Sequence, residues 1–206
     1  VLKRGRFFEA SIKVVPRRSF VLETAIRCFR AFFILRRFSM MKKLRIADST
    51  LRQAAKSRAH SLSFKEKIEI AKLLDKLSVD VIELAPIEDA KTDPILTKSI
   101  CSSVENSTLA FPCELSESGI KSAWSALSKA KRPRLQLVVP TSTVQMEFVC
   151  KKKPPLVLSM IGVLVPEAKK YCPDVEFVAA DATRSEPEFL YQAIRSAVSC
   201  GAQTVT

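Results

Sequence analysis

From residue 44 onward, short runs rich in Val, Ile and Leu alternate with amphipathic segments of about fifteen residues, and this alternation limits the fold more than any other feature. "LRIA" reads as a first strand. "SFKEKIEIAKLLDKL" reads as a helix, with Ile68, Ala71, Leu74 and Leu77 at helical spacing and Ser63 with Glu66 as its capping box. "VDVIELA" then predicts a strand and "DPILTKSICSSV" a helix with Pro94 near its first turn. "STLAFP" and "SESGIKSAWSALSKA" repeat the pattern, the latter with Ile120, Trp124 and Leu127 on one face. "RLQLVVP" with "PPLVLSMIGVLVPEAKKY", and "DVEFVAA" with "EPEFLYQAIRSAVSC", make the fourth and fifth units; Pro166 is expected to kink or divide its helix. "AQTVT" begins a sixth strand.

Apolar residues on successive strand positions, with a helix between strands, mean parallel strands covered on both faces, hence an α/β fold. Periodicity does not choose between a barrel and an open doubly wound sheet. The turn after the first strand, "DSTLRQAAKS", contains no glycine, whereas dinucleotide-binding loops need glycine for the backbone to approach the pyrophosphate. That argues against a dinucleotide fold.

The net charge of +13 would suggest a nucleic-acid partner if it covered the whole surface, but it does not. Residues 1–43 carry 12 of the 34 Lys and Arg against Glu9 and Glu23 alone, a net of +10, which leaves +3 for everything after. The body of the protein is nearly balanced, and no nucleic-acid partner is expected. Residues 1–41 read as a basic extension outside the native protein, with translation starting at Met40 or Met41; a targeting presequence or a membrane-surface helix are the rival readings. Arg27, Arg30, Arg36 and Arg37 interrupt the apolar stretch too often for a transmembrane span. Residues 42–206 form the expected domain. The six cysteines show no CxxC spacing and read as reduced core thiols of a cytoplasmic protein, and His60, the single histidine, rules out a two-histidine metal site within this sequence.

Functional residues of parallel α/β folds gather at the carboxyl ends of the strands. Asp48, Ser49, Thr50 and Arg52 follow the first strand, Glu83 ends the second, Thr141, Ser142 and Gln145 follow the fourth, and Asp181, Thr183 and Arg184 follow the fifth. Ser49, Ser142 and Asp181 read equally well as caps or turn residues. Arg52 and Glu83 are harder to explain that way, because each would be costly to bury without a partner.

Four segments in order, "DSTLR", "FKEKIEIAKLLDKLSVDVIEL", "TSTVQMEF" and "VEFVAADATRSEPEFL", give residues 44–206 a resemblance to the TIM-barrel acyltransferases and lyases that include 2-isopropylmalate synthase, homocitrate synthase and hydroxymethylglutaryl-CoA lyase. The resemblance implies a TIM (β/α)8 barrel, here truncated after about five βα units and the sixth strand. It implies a divalent metal (Mg, Mn or Zn), acetyl-CoA and a 2-oxo acid as partners, a Claisen condensation between them, and a homodimer. A lyase or carboxyltransferase on the same barrel, or a catalytically inactive fragment or paralogue, are the alternatives. Arg52 falls on the family's catalytic arginine and Glu83 on its pocket glutamate, while Asp48, Thr141, Ser142, Gln145, Thr183 and Arg184 fall on the substrate side. The sequence also departs from the family. Gln53 occupies the position of an acidic metal ligand and offers a cation only an amide oxygen. Gln145 stands where the family has histidine, Ala180 where it often has glutamate, and no His-x-His pair occurs. Ser78 sits where a helix end favours glycine.

Overall fold

The computed structural model describes residues 44–54 and 62–206. The expectations for residues 1–41 and for His60 lie outside them. The body formed by Arg45–Thr206 contains β1 (Ala47–Asp48), α1 (Thr50–Ala54), α2 (Phe64–Lys76), β2 (Val81–Glu83), α3 (Asp93–Ser103), β3 (Thr108–Cys113), α4 (Glu117–Leu127) and β4 (Pro133–Pro140). It continues with α5 (Thr143–Gln145), a π-helical turn (Met146–Cys150), α6 (Pro154–Tyr171), β5 (Val175–Ala180), a 3-10 turn (Ala182–Arg184), α7 (Pro187–Ser199) and β6 (Thr204–Val205).

All strand pairs are parallel and the sheet order is β1-β2-β3-β4-β5-β6. This order settles what periodicity left open. A doubly wound sheet reverses direction at a switch point, whereas here each unit adds a strand on the same side, as a barrel wall grows. The six strands form a half-barrel.

The two faces of the sheet have different jobs. Phe111, Leu135 and Val175 lie in one row across β3, β4 and β5, and Cys113, Leu137 and Phe177 lie in the next. All six are buried in the hydrophobic core, where Ile120, Leu127, Val157, Ile161 and Ala193 of the helices also lie. On the alternate positions stand Arg134, Gln136 and Glu176, which the period of two places on the concave face.

Several helix ends follow the expected chemistry. Ser63 accepts from the Glu66 N–H while the Glu66 carboxylate accepts from the Ser63 N–H, so the capping box closes. Ser78, after α2, adopts a left-handed conformation with φ of 59°. Pro166 does not divide α6. The carbonyl its missing N–H leaves free belongs to Gly162, four residues earlier, and both residues lie on the exposed side where water can serve that carbonyl. The first strand is shorter than the sequence suggests and lies further along. Leu44 and Ile46 are exposed, and Ile46 meets β2 through its carbonyl, which accepts from both Asp80 and Val81. Among the described residues no helix is long and apolar enough to cross a membrane.

Candidate functional site

The chain turns from β1 into the short α1 at Asp48, one of whose carboxylate oxygens accepts from the Thr50 N–H and the other from its hydroxyl. This turn carries Arg52 back toward the sheet, where its Nη1 lies 3.2 Å from Glu83 Oε2, with both side chains largely buried. The two residues that sequence reasoning found costly to bury are therefore each other's partner.

Glu83 is also the start of a longer network. The Gln136 amide nitrogen donates to Glu83 Oε1 at 3.2 Å and to Glu176 Oε2 at 3.0 Å. Glu176 in turn accepts from the Thr206 hydroxyl at 2.6 Å and lies 3.7 Å from Arg134 Nη1, and Arg134 Nε donates to Asp174 at 2.9 Å. Positive and negative side chains thus alternate around the neutral Gln136, an order that offsets the cost of removing them from water. Sequence reasoning missed Arg134, Gln136 and Glu176. The available signal was their period-two placement inside strands whose other residues are apolar.

A second cluster joins the carboxyl ends of β4 and β5. Thr141 is fully buried; its N–H and hydroxyl both donate to the Ala180 carbonyl, and its hydroxyl accepts from Ser185. The Ser142 hydroxyl donates to Asp181 at 2.6 Å and accepts from the Gln145 N–H, so Ser142 is both a cap of α5 and a tie to the neighbouring strand. Asp181 has φ of 60° and receives Arg184 Nε at 2.8 and 2.9 Å. The Arg184 hydrogen bond, then that of Ser142, hold the Asp181 carboxyl below the usual range, and Asp181 raises Arg184 in return. Arg184 is therefore already engaged by its own strand end. Thr183 is exposed and Gln145 half-buried, while Ala180 lies on the concave side with Glu176.

Asp48 and Gln53 line one cleft together with Ser49 and Thr50. These residues do not fit a divalent cation. Both Asp48 oxygens accept from Thr50, Gln53 supplies no charge, and among the described residues no group of three His, Cys, Asp or Glu side chains is placed to hold a metal. The buried thiols are not nucleophiles either, since burial pushes Cys101 up to about 11 and Cys113 up to about 12.

A family model described as HMGL-like matches residues 43–206. The chain is 39% identical over 166 residues to 2-isopropylmalate synthase of Clostridium kluyveri, a stretch that is 81% of this chain and 32% of that protein. It is 36% identical over 165 residues to 2-isopropylmalate synthase of Pyrococcus abyssi, covering 80% of this chain and 34% of that protein. The chain thus spans about a third of the length of the curated relatives it matches. Among solved structures it resembles the HMG-CoA lyase of Brucella melitensis, with a TM-score of 0.60 at 11% identity over 80% of this chain and 60% of that one. That likeness concerns the fold, and it agrees with a barrel wall built one parallel strand at a time. With the family match running along the whole half-barrel and relatives more than a third identical over the same stretch, the chain belongs to the HMGL-like family.

Proposed function

We propose that this chain is part of the barrel of an acyltransferase of the 2-isopropylmalate synthase type, which joins acetyl-CoA to a 2-oxo acid in a carbon–carbon bond-forming condensation. The observation that carries the reading is the buried Arg52–Glu83 pair, in a chain 39% identical to a protein named for that activity. Glu83 fixes one end of the guanidinium and leaves most of its N–H donors for a carboxylate or for the oxyanion that develops on the ketone oxygen. Glu83 is itself held by Gln136, so the arginine rests on a braced support rather than on a free side chain. Asp48 shapes the turn beneath Arg52, and Thr141, Ser142, Gln145, Thr183 and Arg184 border the acyl and 2-oxo acid side from the ends of β4 and β5. The reading places the protein in the cytoplasm as a homodimer. In this chemistry a divalent cation polarises the ketone. The described residues do not supply its ligands.

Free thiol released from acetyl-CoA by the full-length protein that contains this part of the barrel, in the presence of a panel of 2-oxo acids with Mg, Mn or Zn added, tests the reading. Thiol release that falls at least a hundredfold in Arg52→Lys is expected, because lysine keeps the charge and loses the planar fork. No release with any acid, or cleavage of a 3-hydroxyacyl-CoA in its place, overturns it. Gln53, Gln145 and Ala180, uncharged side chains at positions where the resembled family carries charge or moves protons, favour a second reading, a barrel that has kept the fold and lost the metal-dependent chemistry. Calorimetric titration with each cation separates the two, since tight binding removes the basis of the second.

A further inference from the structure

Between β4 and α6 the chain takes an unusual path. The three-residue α5 runs into the π-helical turn Met146–Cys150, which ends on Lys151 in a left-handed conformation with φ of 52°. The N–H groups of Lys151 and Lys152 both return to the Met146 carbonyl, closing the turn. A π-helical turn and a left-handed residue that is not glycine are each unfavourable, the latter by about 1 kcal/mol or more, and such features recur at functional sites.

This path wraps a cleft of about 390 Å³ lined by Thr143, Met146, Glu147, Pro154 and three consecutive lysines, Lys151, Lys152 and Lys153. Volumes from about 300 Å³ upward hold small organic ligands. All three lysines are exposed, and among the described residues none of the ion pairs or side-chain hydrogen bonds engages them. Three uncompensated cations against one carboxylate, Glu147, make the lining positive. Beside it Phe148 and Val149 are each 71% exposed and Leu156 is 58% exposed, so apolar surface adjoins the charge. A ligand for such a place combines several negative charges with a flat apolar group. The cleft also starts one residue past Ser142, at the strand end where the acyl group is placed above.

We propose that this cleft takes the phosphorylated nucleotide end of coenzyme A, with Lys151, Lys152 and Lys153 meeting its phosphates and the apolar surface beside them receiving the adenine. The proposal rests on the acyl-CoA reading for the identity of the ligand. The 3′-phosphate and pyrophosphate supply the charge that the lysines lack, and the pantetheine arm leads from the cleft toward the ends of β4 and β5.

Calorimetric titration of the protein with coenzyme A, with adenosine 3′,5′-bisphosphate and with pantetheine tests it, beside a variant carrying Lys151→Gln, Lys152→Gln and Lys153→Gln. Coenzyme A and the bisphosphate should bind with affinities that fall as salt rises, and pantetheine more weakly than coenzyme A by roughly tenfold or more. The triple variant should lose about tenfold or more for the first two ligands and nothing for pantetheine, with its melting temperature unchanged. If the triple variant does not fold, Lys152→Gln alone should show a smaller loss in the same direction. Equal affinity of variant and native protein for coenzyme A, or no binding of the bisphosphate, overturns the proposal. So does lysine-dependent binding to anionic phospholipid vesicles without binding of coenzyme A. Lysine-dependent coenzyme A binding without thiol release upholds the cleft and defeats the condensation; thiol release at low acetyl-CoA that ignores the three substitutions does the reverse.

Discussion

Gln136 gives one amide nitrogen to two carboxylates, Glu83 and Glu176, and leaves its oxygen Oε1 buried with no hydrogen-bond partner among the described residues. Turning the amide over would set that oxygen against both carboxylates, so the orientation follows from charge. Gln136 thereby keeps two buried acids from facing each other undiluted. Gln136→Met, of similar size, is expected to lower stability by about 2 kcal/mol, since two charge-assisted hydrogen bonds are lost and only one unsatisfied oxygen is removed. The midpoint of urea unfolding measures it. Gln136→Glu should be worse at neutral pH, because it sets a third carboxylate against Glu83 and Glu176; a Gln136→Met variant as stable as the native protein would show that the amide bridge is immaterial. Arg52 and Glu83 were legible in the sequence because a charge at the end of an apolar run stands out. Gln136 and Glu176 were not, because strands read as buried on both faces give no reason to expect polar side chains there. Only the concave interior of a barrel wall creates that place.

At the level of elements, Asp75 near the end of α2 does for the loop after α3 what a cap does for a helix. Its buried carboxylate accepts from the backbone N–H groups of Glu105, Asn106 and Ser107, fixing the loop that leads into β3. Burial by itself would raise its pKa, but these N–H groups together outweigh burial and hold the carboxyl at about 2, below its ordinary 3.8. A folded-state pKa below the unfolded one means that Asp75 stabilises the fold fully above the unfolded value. That contribution is lost as pH falls through the folded value. Asp75→Asn should therefore cost about 2 kcal/mol at neutral pH, and the gap to the native protein should close between about pH 4 and pH 2. Unfolding followed across that range checks it; a gap independent of pH would trace the cost to packing instead. The helices were readable from the spacing of their apolar residues and from Ser63 with Glu66. The contacts that Asp75 makes were not, because they join residues about thirty positions apart and no local rule reaches that far.

For the molecule as a whole, the alternation of strands and helices fixed parallel pairing, but the choice of a barrel wall came from the ordered resemblance of four segments. Periodicity is the same in both architectures, because every strand is covered by helices in either case. The sheet ends in β1 and β6, and among the described residues β6 pairs with β5 alone. A closed barrel has no such edges, and an unpaired strand presents a row of N–H and C=O groups to any other strand. Val205 is 39% exposed on that edge, beside its register partner Phe177. A polypeptide of residues 1–206 expressed by itself is expected to self-associate in a concentration-dependent manner, and Val205→Lys to weaken that association, since a lysine on an edge strand must be desolvated when two edges meet. Sedimentation velocity over a range of protein concentrations distinguishes the cases. Association that Val205→Lys leaves unchanged would locate the contact away from β6, and a native protein that stays monomeric throughout would mean that the edge is shielded.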